Sequence, residues 1–173
     1  MLSLRTTNFN MKKLFIARHA KSSWDDFSIS DFDRPILNQG KKKTLKVAEA
    51  LKKDNILPDL IMSSTARRAK ETALLLAQGL GYPVDKIDFK ESFYHAYDDE
   101  ILAELYGLDD SINSVMVVGH NPTLTDLVNQ FAAKYIDNLS TSAVACITFE
   151  TDDWSKLMTC RHNLDFMLRP GEL

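Results

Sequence analysis

Short apolar runs that alternate with helix-length amphipathic segments restrict the fold of this chain more than any other feature. Lys13–Ala17 (KLFIA), Pro58–Ser64 (PDLIMSS), Asp85–Phe89 (DKIDF) and Ser114–Pro122 (SVMVVGHNP) read as strands. Asn38–Asn55, Thr65–Gly81, Asp98–Leu108 and Thr123–Tyr135 read as helices. In the first helix Leu45, Ala48 and Leu51 share one face and lysines crowd the other, the period expected of a helix docked on a core. Ser64 or Thr65 is the expected N-cap of the second helix and Gly81 its stop. Asp98, Asp99 and Glu100 suit the first turn of the third, where carboxylates meet the positive end of the helix dipole. Pro122 suits the first position of the fourth. Strand and helix in alternation predict βαβ units and a largely parallel sheet, an α/β fold. Ser142–Glu150 and Lys156–His162 read as two closing strands around the turn-like Thr151–Ser155. So short a link predicts at least one antiparallel strand near the C-terminus.

Composition sets limits on function rather than naming one. A net charge of −3 gives no overall pull toward nucleic acid or an anionic membrane. No stretch approaches the roughly 18 apolar residues of a membrane span. The first ten residues lack the apolar core of an export signal. A cytoplasmic monomer is therefore expected, with residues 1–10 a disordered leader or upstream start before Met11, and residues 11–173 a single domain. Cys146 and Cys160, both read as lying in strands, are expected to be reduced, buried thiols.

In open α/β sheets ligands collect at the carboxyl ends of the strands, and there the sequence places its chemistry. The first strand ends in Arg18-His19, the second in Ser63-Ser64 with Arg67 and Arg68 just beyond, and the fourth in Gly119-His120-Asn121-Pro122. Guanidinium groups offer a fork of donors matched to phosphate oxygens and keep their charge. Cations at a helix start are unfavourable unless an anion joins them. An imidazole beside an arginine has its charged form disfavoured, and a neutral imidazole nitrogen is a nucleophile. One histidine attacking phosphorus, with arginines and a second histidine on the equatorial oxygens, is therefore a coherent phosphoryl-transfer site. Each part also has a structural reading: a hydrogen-bonding strand-end histidine, solvated arginines, a helix-starting Asn-Pro turn. His19, His95, His120 and His162 show no close metal-ligand spacing, and an arginine beside a ligand repels a cation, so neither metal nor cofactor is expected.

Four motifs in order, RHAKSS, DFDRPILNQG, SSTARRAKETA and VGHNPTLTDL, resemble those of the histidine phosphatase superfamily, and within it the short SixA-type phosphohistidine phosphatase branch. The resemblance implies a phosphoglycerate-mutase-like, three-layer α/β/α sandwich. It implies that His19 is the nucleophile, that Arg18 and Arg68 bind the phosphate, and that His120 donates to a phosphate oxygen with help from Asn121. Arg67 falls outside the motif and is expected at the surface. Arg34 is left with two roles, contact with phosphate or substrate, or an ion pair with Asp31 or Asp33. Trp24 and Tyr94 are expected at the cleft mouth or in packing. Glu91 is the candidate general acid for an ester substrate, although no motif singles it out. An imidazole leaving group needs no such acid, since it departs neutral once its ring is protonated. Phosphohistidine on a protein, of histidine-phosphotransfer type, is therefore the expected substrate. A small-molecule phosphomonoester phosphatase or mutase, and a non-catalytic phosphoprotein-binding module, are the alternatives.

Overall fold

The computed structural model describes residues 11–173; the expected leader at residues 1–10 lies outside them. Six strands, β1 (Lys12–Arg18), β2 (Leu60–Ser64), β3 (Asp88–Lys90), β4 (Ser114–Gly119), β5 (Val144–Phe149) and β6 (His162–Leu168), form one sheet in the order β3-β2-β4-β1-β5-β6. The pairs β1–β4, β2–β4 and β2–β3 are parallel, and β5 runs antiparallel to both its neighbours, β1 and β6. Four helices, α1 (Asn38–Lys53), α2 (Arg67–Leu80), α3 (Asp98–Tyr106) and α4 (Thr123–Phe131), complete the fold.

Alternation along the central strands sorts the core into two halves. Leu14 and Ile16 of β1, with Val115 and Val117 of β4, pack toward Ile101, Leu105, Leu124 and Val128 of α3 and α4. The residues between them, Phe15, Ala17, Met116 and Val118, pack toward Val47, Leu51, Ala73 and Leu76 of α1 and α2. A strand covered on both faces must be apolar at every position, which is why these runs read as continuous hydrophobic stretches. The result is the expected three-layer sandwich.

The sequence reading needs several local corrections. The third strand is Asp88–Lys90, not residues 85–89, because Val84–Lys86 is a 3-10 turn. Leu45, expected on the core face of α1, is exposed, and Val47 joins Ala48 and Leu51 there instead. Pro122 is the N-cap of α4 rather than its first residue. The closing strand is residues 162–168, not 156–162: Trp154–Lys156 is a 3-10 turn that buries Trp154, whose indole donates to the Ile112 carbonyl at 2.8 Å. An apolar anchor in a turn was mistaken for strand periodicity. Cys160 consequently lies in the bend between that turn and β6 and is only half-buried, whereas Cys146 is buried in β5, where burial pushes its thiol up to about 12. At α2 the N-cap position is Ala66; Ser64 Oγ instead accepts from the Ala66 N–H, and Thr65 makes no cap. Gly81 ends α2 as expected, in the left-handed region at φ 80°, a conformation that glycine adopts without strain. Among the described residues no helix is long and apolar enough to cross a membrane.

Candidate active site

The sheet order sets the site before any side chain does. Chain reversal after β1 and β4 brings the carboxyl ends of these adjacent strands to the crevice where such sheets bind ligands. Arg18 pairs in register with Gly119, and the ladder runs one step further through the His19 N–H to the Gly119 carbonyl at 3.1 Å. His19 and His120 are thereby brought side by side, their ring centroids 5.1 Å apart.

His19 is buried and its orientation is fixed by its own backbone. Nδ1 lies 2.8 Å from the Ala20 carbonyl; a carbonyl only accepts, so Nδ1 carries the proton and Nε2 keeps its lone pair. Burial is the main reason its pKa falls to about 4; the Ala20 bond opposes this, and Arg68, Arg18 and Arg34 assist it. The arginine beside it was expected to keep this imidazole neutral, but desolvation does more. The Ala20 peptide is held in turn: its N–H donates to Thr72 Oγ1, whose hydroxyl donates to the Arg68 carbonyl. Gly40 packs behind it, where a Cβ would meet the Lys21 carbonyl oxygen at 2.8 Å.

His120 is similarly buried and is held at about 3, by burial first and then by His19 and Arg68. Its Nε2 sits 2.8 Å from Ser64 Oγ. Ser64 accepts from Ala66 N–H and, among the described residues, its own proton has no other acceptor than Nε2, so the hydroxyl donates there and Nδ1 of His120 is left as the N–H donor. That Nδ1 is buried without a protein partner, and so are Arg18 Nε and Arg68 Nε. Three orphaned donors thus sit on residues that line one cleft, an arrangement that can hold an anion, since buried donors generally find a partner.

The arginines are fixed by Asp31, expected only as a partner of Arg34, and by Asn138 and Leu139. Arg68 donates through Nη1 to the Asp31 carbonyl at 2.6 Å and through Nη2 to Asp31 Oδ2 at 3.1 Å. Asp31 also pairs with Arg34 at 2.8 Å and accepts from the Tyr94 hydroxyl at 2.6 Å. Partial burial pushes this carboxyl up, but Tyr94, Arg68 and Arg34 outweigh it and hold it at about 2. Arg18 donates to Asn138 Oδ1 and the Leu139 carbonyl, the same two acceptors that take the Asn121 amide N–H₂ at 2.7 and 3.0 Å. Asn138 escaped the sequence reading, as did the contacts of Asp31 with Arg68 and Tyr94 and of Ser64 with His120, because loop and strand-end polar residues carry no periodic signal.

A cleft of about 310 Å³ is lined by Arg18, His19, Lys21, Trp24, Arg34, Arg68, His120 and Asn121 among others. Of the two roles left to Arg34, its ion pair with Asp31 is present, and its guanidinium stacks 3.5 Å from the Trp24 ring. Asp33 pairs with Ser30 instead. Arg67 is at the surface, paired with Glu71. Glu91 opens an exposed 3-10 turn and lines neither this cleft nor its neighbour around His95. The Asn121 side chain gives no donor to the cleft, because its N–H₂ is engaged elsewhere. Larger clefts lie elsewhere on the surface, such as the one of about 640 Å³ around Tyr135, but they lack this convergence of cations and imidazoles.

The sequence profile described as "Histidine phosphatase superfamily (branch 1)" matches residues 14–106. The chain belongs to this superfamily. An uncharacterized chloroplastic protein of Arabidopsis thaliana is 32% identical over 153 residues, 84% of this chain and 70% of that protein. The structure of the protein histidine phosphatase SixA complexed with tungstate superposes with a TM-score of 0.79 at 23% identity, covering 92% of this chain and 98% of that one. The putative phosphohistidine phosphatase SixA of Agrobacterium tumefaciens gives 0.77 at 25% identity, with the same coverage. The histidine phosphatase fold, in its short SixA-type form, thus accounts for nearly the whole described chain.

Proposed function

We propose that this histidine phosphatase superfamily member hydrolyses phosphohistidine on a protein through a phospho-His19 intermediate. The observation that carries the reading is the state of His19: buried, neutral, and tied by Nδ1 so that Nε2 is the free nucleophile. The unpartnered N–H groups of Arg18, Arg68 and His120 support the reading as donors for phosphoryl oxygens, and such fixed donors act without reorganisation at the transition state. Tungstate, which occupies the SixA relative, is an oxyanion of phosphate's shape.

Nε2 attacks phosphorus, the bond from phosphorus to the substrate nitrogen breaks, and the electron pair remains on that nitrogen. Water then attacks phosphorus, the P–Nε2 bond breaks with its electron pair returning to His19, and inorganic phosphate leaves carrying the water's protons. The first step needs no general acid if the leaving imidazole ring is already protonated on its other nitrogen. An alkoxide leaving group does need one, and Glu91 lines neither cleft. That difference favours phosphohistidine over a phosphomonoester. Trp24, 68% exposed at the cleft, and Phe27, 97% exposed on the same loop, offer apolar surface for a macromolecular substrate of histidine-phosphotransfer type.

The test is rapid quench with a ³²P-labelled phosphohistidine protein. An acid-labile, base-stable phosphoenzyme is expected with wild type and none with His19→Ala. Full activity of His19→Ala sinks the proposal. Turnover of phosphomonoesters alone moves it to the ester-cleaving alternative, and binding without phosphate release to the binding-module alternative.

A further inference from the structure

We propose that the cleft next to the phosphate site receives the leaving group, and that Asn121 Oδ1 selects one bearing an N–H donor. This rests on the phosphohistidine reading above and goes further by assigning the residues that recognise the departing ring.

The two clefts are opposite in character and share a boundary. On one side stand Arg18, Lys21, Arg34 and Arg68. On the other, a cleft of about 340 Å³ is lined by Tyr94, His95, Asp98 and Asp126. His120, 9% exposed and with its Nδ1 unpartnered, and Asn121 line both. A molecule that spans the boundary puts its anionic part among arginines and its other part among carboxylates.

Asn121 supplies the atom that reads that second part. Its Nδ2 donates to Asn138 Oδ1 and to the Leu139 carbonyl. Both are acceptors here, so turning the amide over would set oxygen against oxygen, and the orientation is fixed. Oδ1 is left as a buried acceptor with no donor. A phosphoryl dianion, itself all acceptors, is no partner for it. A ring N–H is.

Phosphohistidine meets both halves. Its phosphoryl group is the anion, and its ring, protonated on the nitrogen opposite phosphorus, is a cationic N–H donor. When His19 Nε2 takes the phosphoryl group, the P–N electron pair stays on the ring. The ring leaves as neutral imidazole, its remaining N–H still on Asn121 Oδ1. Asp98 and Asp126 favour the protonated ring before transfer. An alkyl ester has neither the charge nor the donor.

The test compares kcat/KM of the full chain on phosphoimidazole and on p-nitrophenyl phosphate, whose leaving group has no N–H and needs no added proton. Asn121→Ala is expected to lower the phosphoimidazole value about ten- to hundredfold more than the ester value, the range for a hydrogen bond to a charged group. Asp126→Asn, on an exposed side chain, is expected to shift the same ratio about two- to fivefold. A third arm does not depend on any variant folding. Wild type acting on N-phosphoryl-N′-methylimidazolium, which keeps the charge and lacks the donor, is expected to lose at least about tenfold relative to phosphoimidazole, each rate divided by its uncatalysed rate. Equal losses on both substrates with Asn121→Ala, or undiminished turnover of the methylated compound, overturn the subsite while wild-type cleavage of phosphoimidazole keeps the proposed function standing. Wild type that cleaves only the ester overturns the proposed function itself.

Discussion

Ser64→Ala tests the site at its least obvious point. Ser64 is fully buried at the end of β2, and its hydroxyl bridges the Ala66 N–H and His120 Nε2 at 3.2 and 2.8 Å. His120 is neutral at working pH, with a pKa of about 3, so a tautomer and not a charge decides which nitrogen donates. The bond from Ser64 sets the proton on Nδ1. Removing it withdraws a preference of about 1–3 kcal/mol, roughly five- to hundredfold in the tautomer ratio. The cleft would then meet a lone pair where it had a donor. The expected fall in kcat/KM is about tenfold or more, bounded by the 10²–10³ typical of losing one donor to a developing anion. The same unmet nitrogen should lower Tm by about 2–12 °C, taking about 2–4 °C per kcal/mol for a chain of this size. Two-bond ¹H–¹⁵N NMR correlations read the tautomer directly, and steady-state kinetics read the consequence. If wild type carries the proton on Nε2, or if Ser64→Ala shifts the tautomer without loss of activity, the assigned role of Ser64 is wrong.

Other consequences follow from the same geometry. His19 and His120 titrate near 4 and 3 when folded, against an ordinary 6.5. The unfolded chain therefore binds more protons between these values, and stability, complete above about pH 6.5, should fall with pH by up to about 1.4 kcal/mol per unit for each histidine; urea midpoints at pH 7, 5.5 and 4.5 that do not move refute this. Gly40→Ala should push the Ala20–Lys21 backbone that orients His19, costing about 1–3 kcal/mol from overpacking and lowering kcat more than KM is raised, as read from denaturation and steady-state kinetics. Asp31→Asn and Tyr94→Phe should each raise the KM for phosphohistidine by about three- to tenfold by loosening Arg68, as hydrogen bonds to charged groups are lost at a partly exposed carboxylate. Glu91→Gln should keep kcat/KM on phosphoimidazole within about twofold, because a surface change away from the site is usually near neutral.

Much of this protein is legible in its sequence because the relevant physics is local. Continuous apolar runs at residues 14–17 and 115–118 mark strands buried on both faces, and the lysine-backed stripe of α1 marks a helix laid over them. The strand ends carry Arg18-His19 and His120 where parallel sheets bind ligands, so residue order alone pointed to the candidates that the fold brings together. Local pattern failed where an isolated contact substitutes for periodicity. Trp154 anchors a turn through one indole hydrogen bond and displaces the last strand by six residues.

Other features have no local signal at all. The neutrality of His19 owes more to burial than to its arginine neighbour, and burial belongs to the assembled fold. Asp31 serves Arg34, Arg68 and Tyr94 across 63 residues of sequence, and Asn138 ties Arg18 to Asn121 across 120. Sequence by itself determined most of the strands, the helices and the candidate site residues, because backbone period and side-chain type are properties of short segments. Only the tertiary structure decided which ring nitrogen of His19 is tied, which nitrogen of His120 carries the proton and which atom of Asn121 is left without a partner, because those depend on partners that the chain must fold to meet.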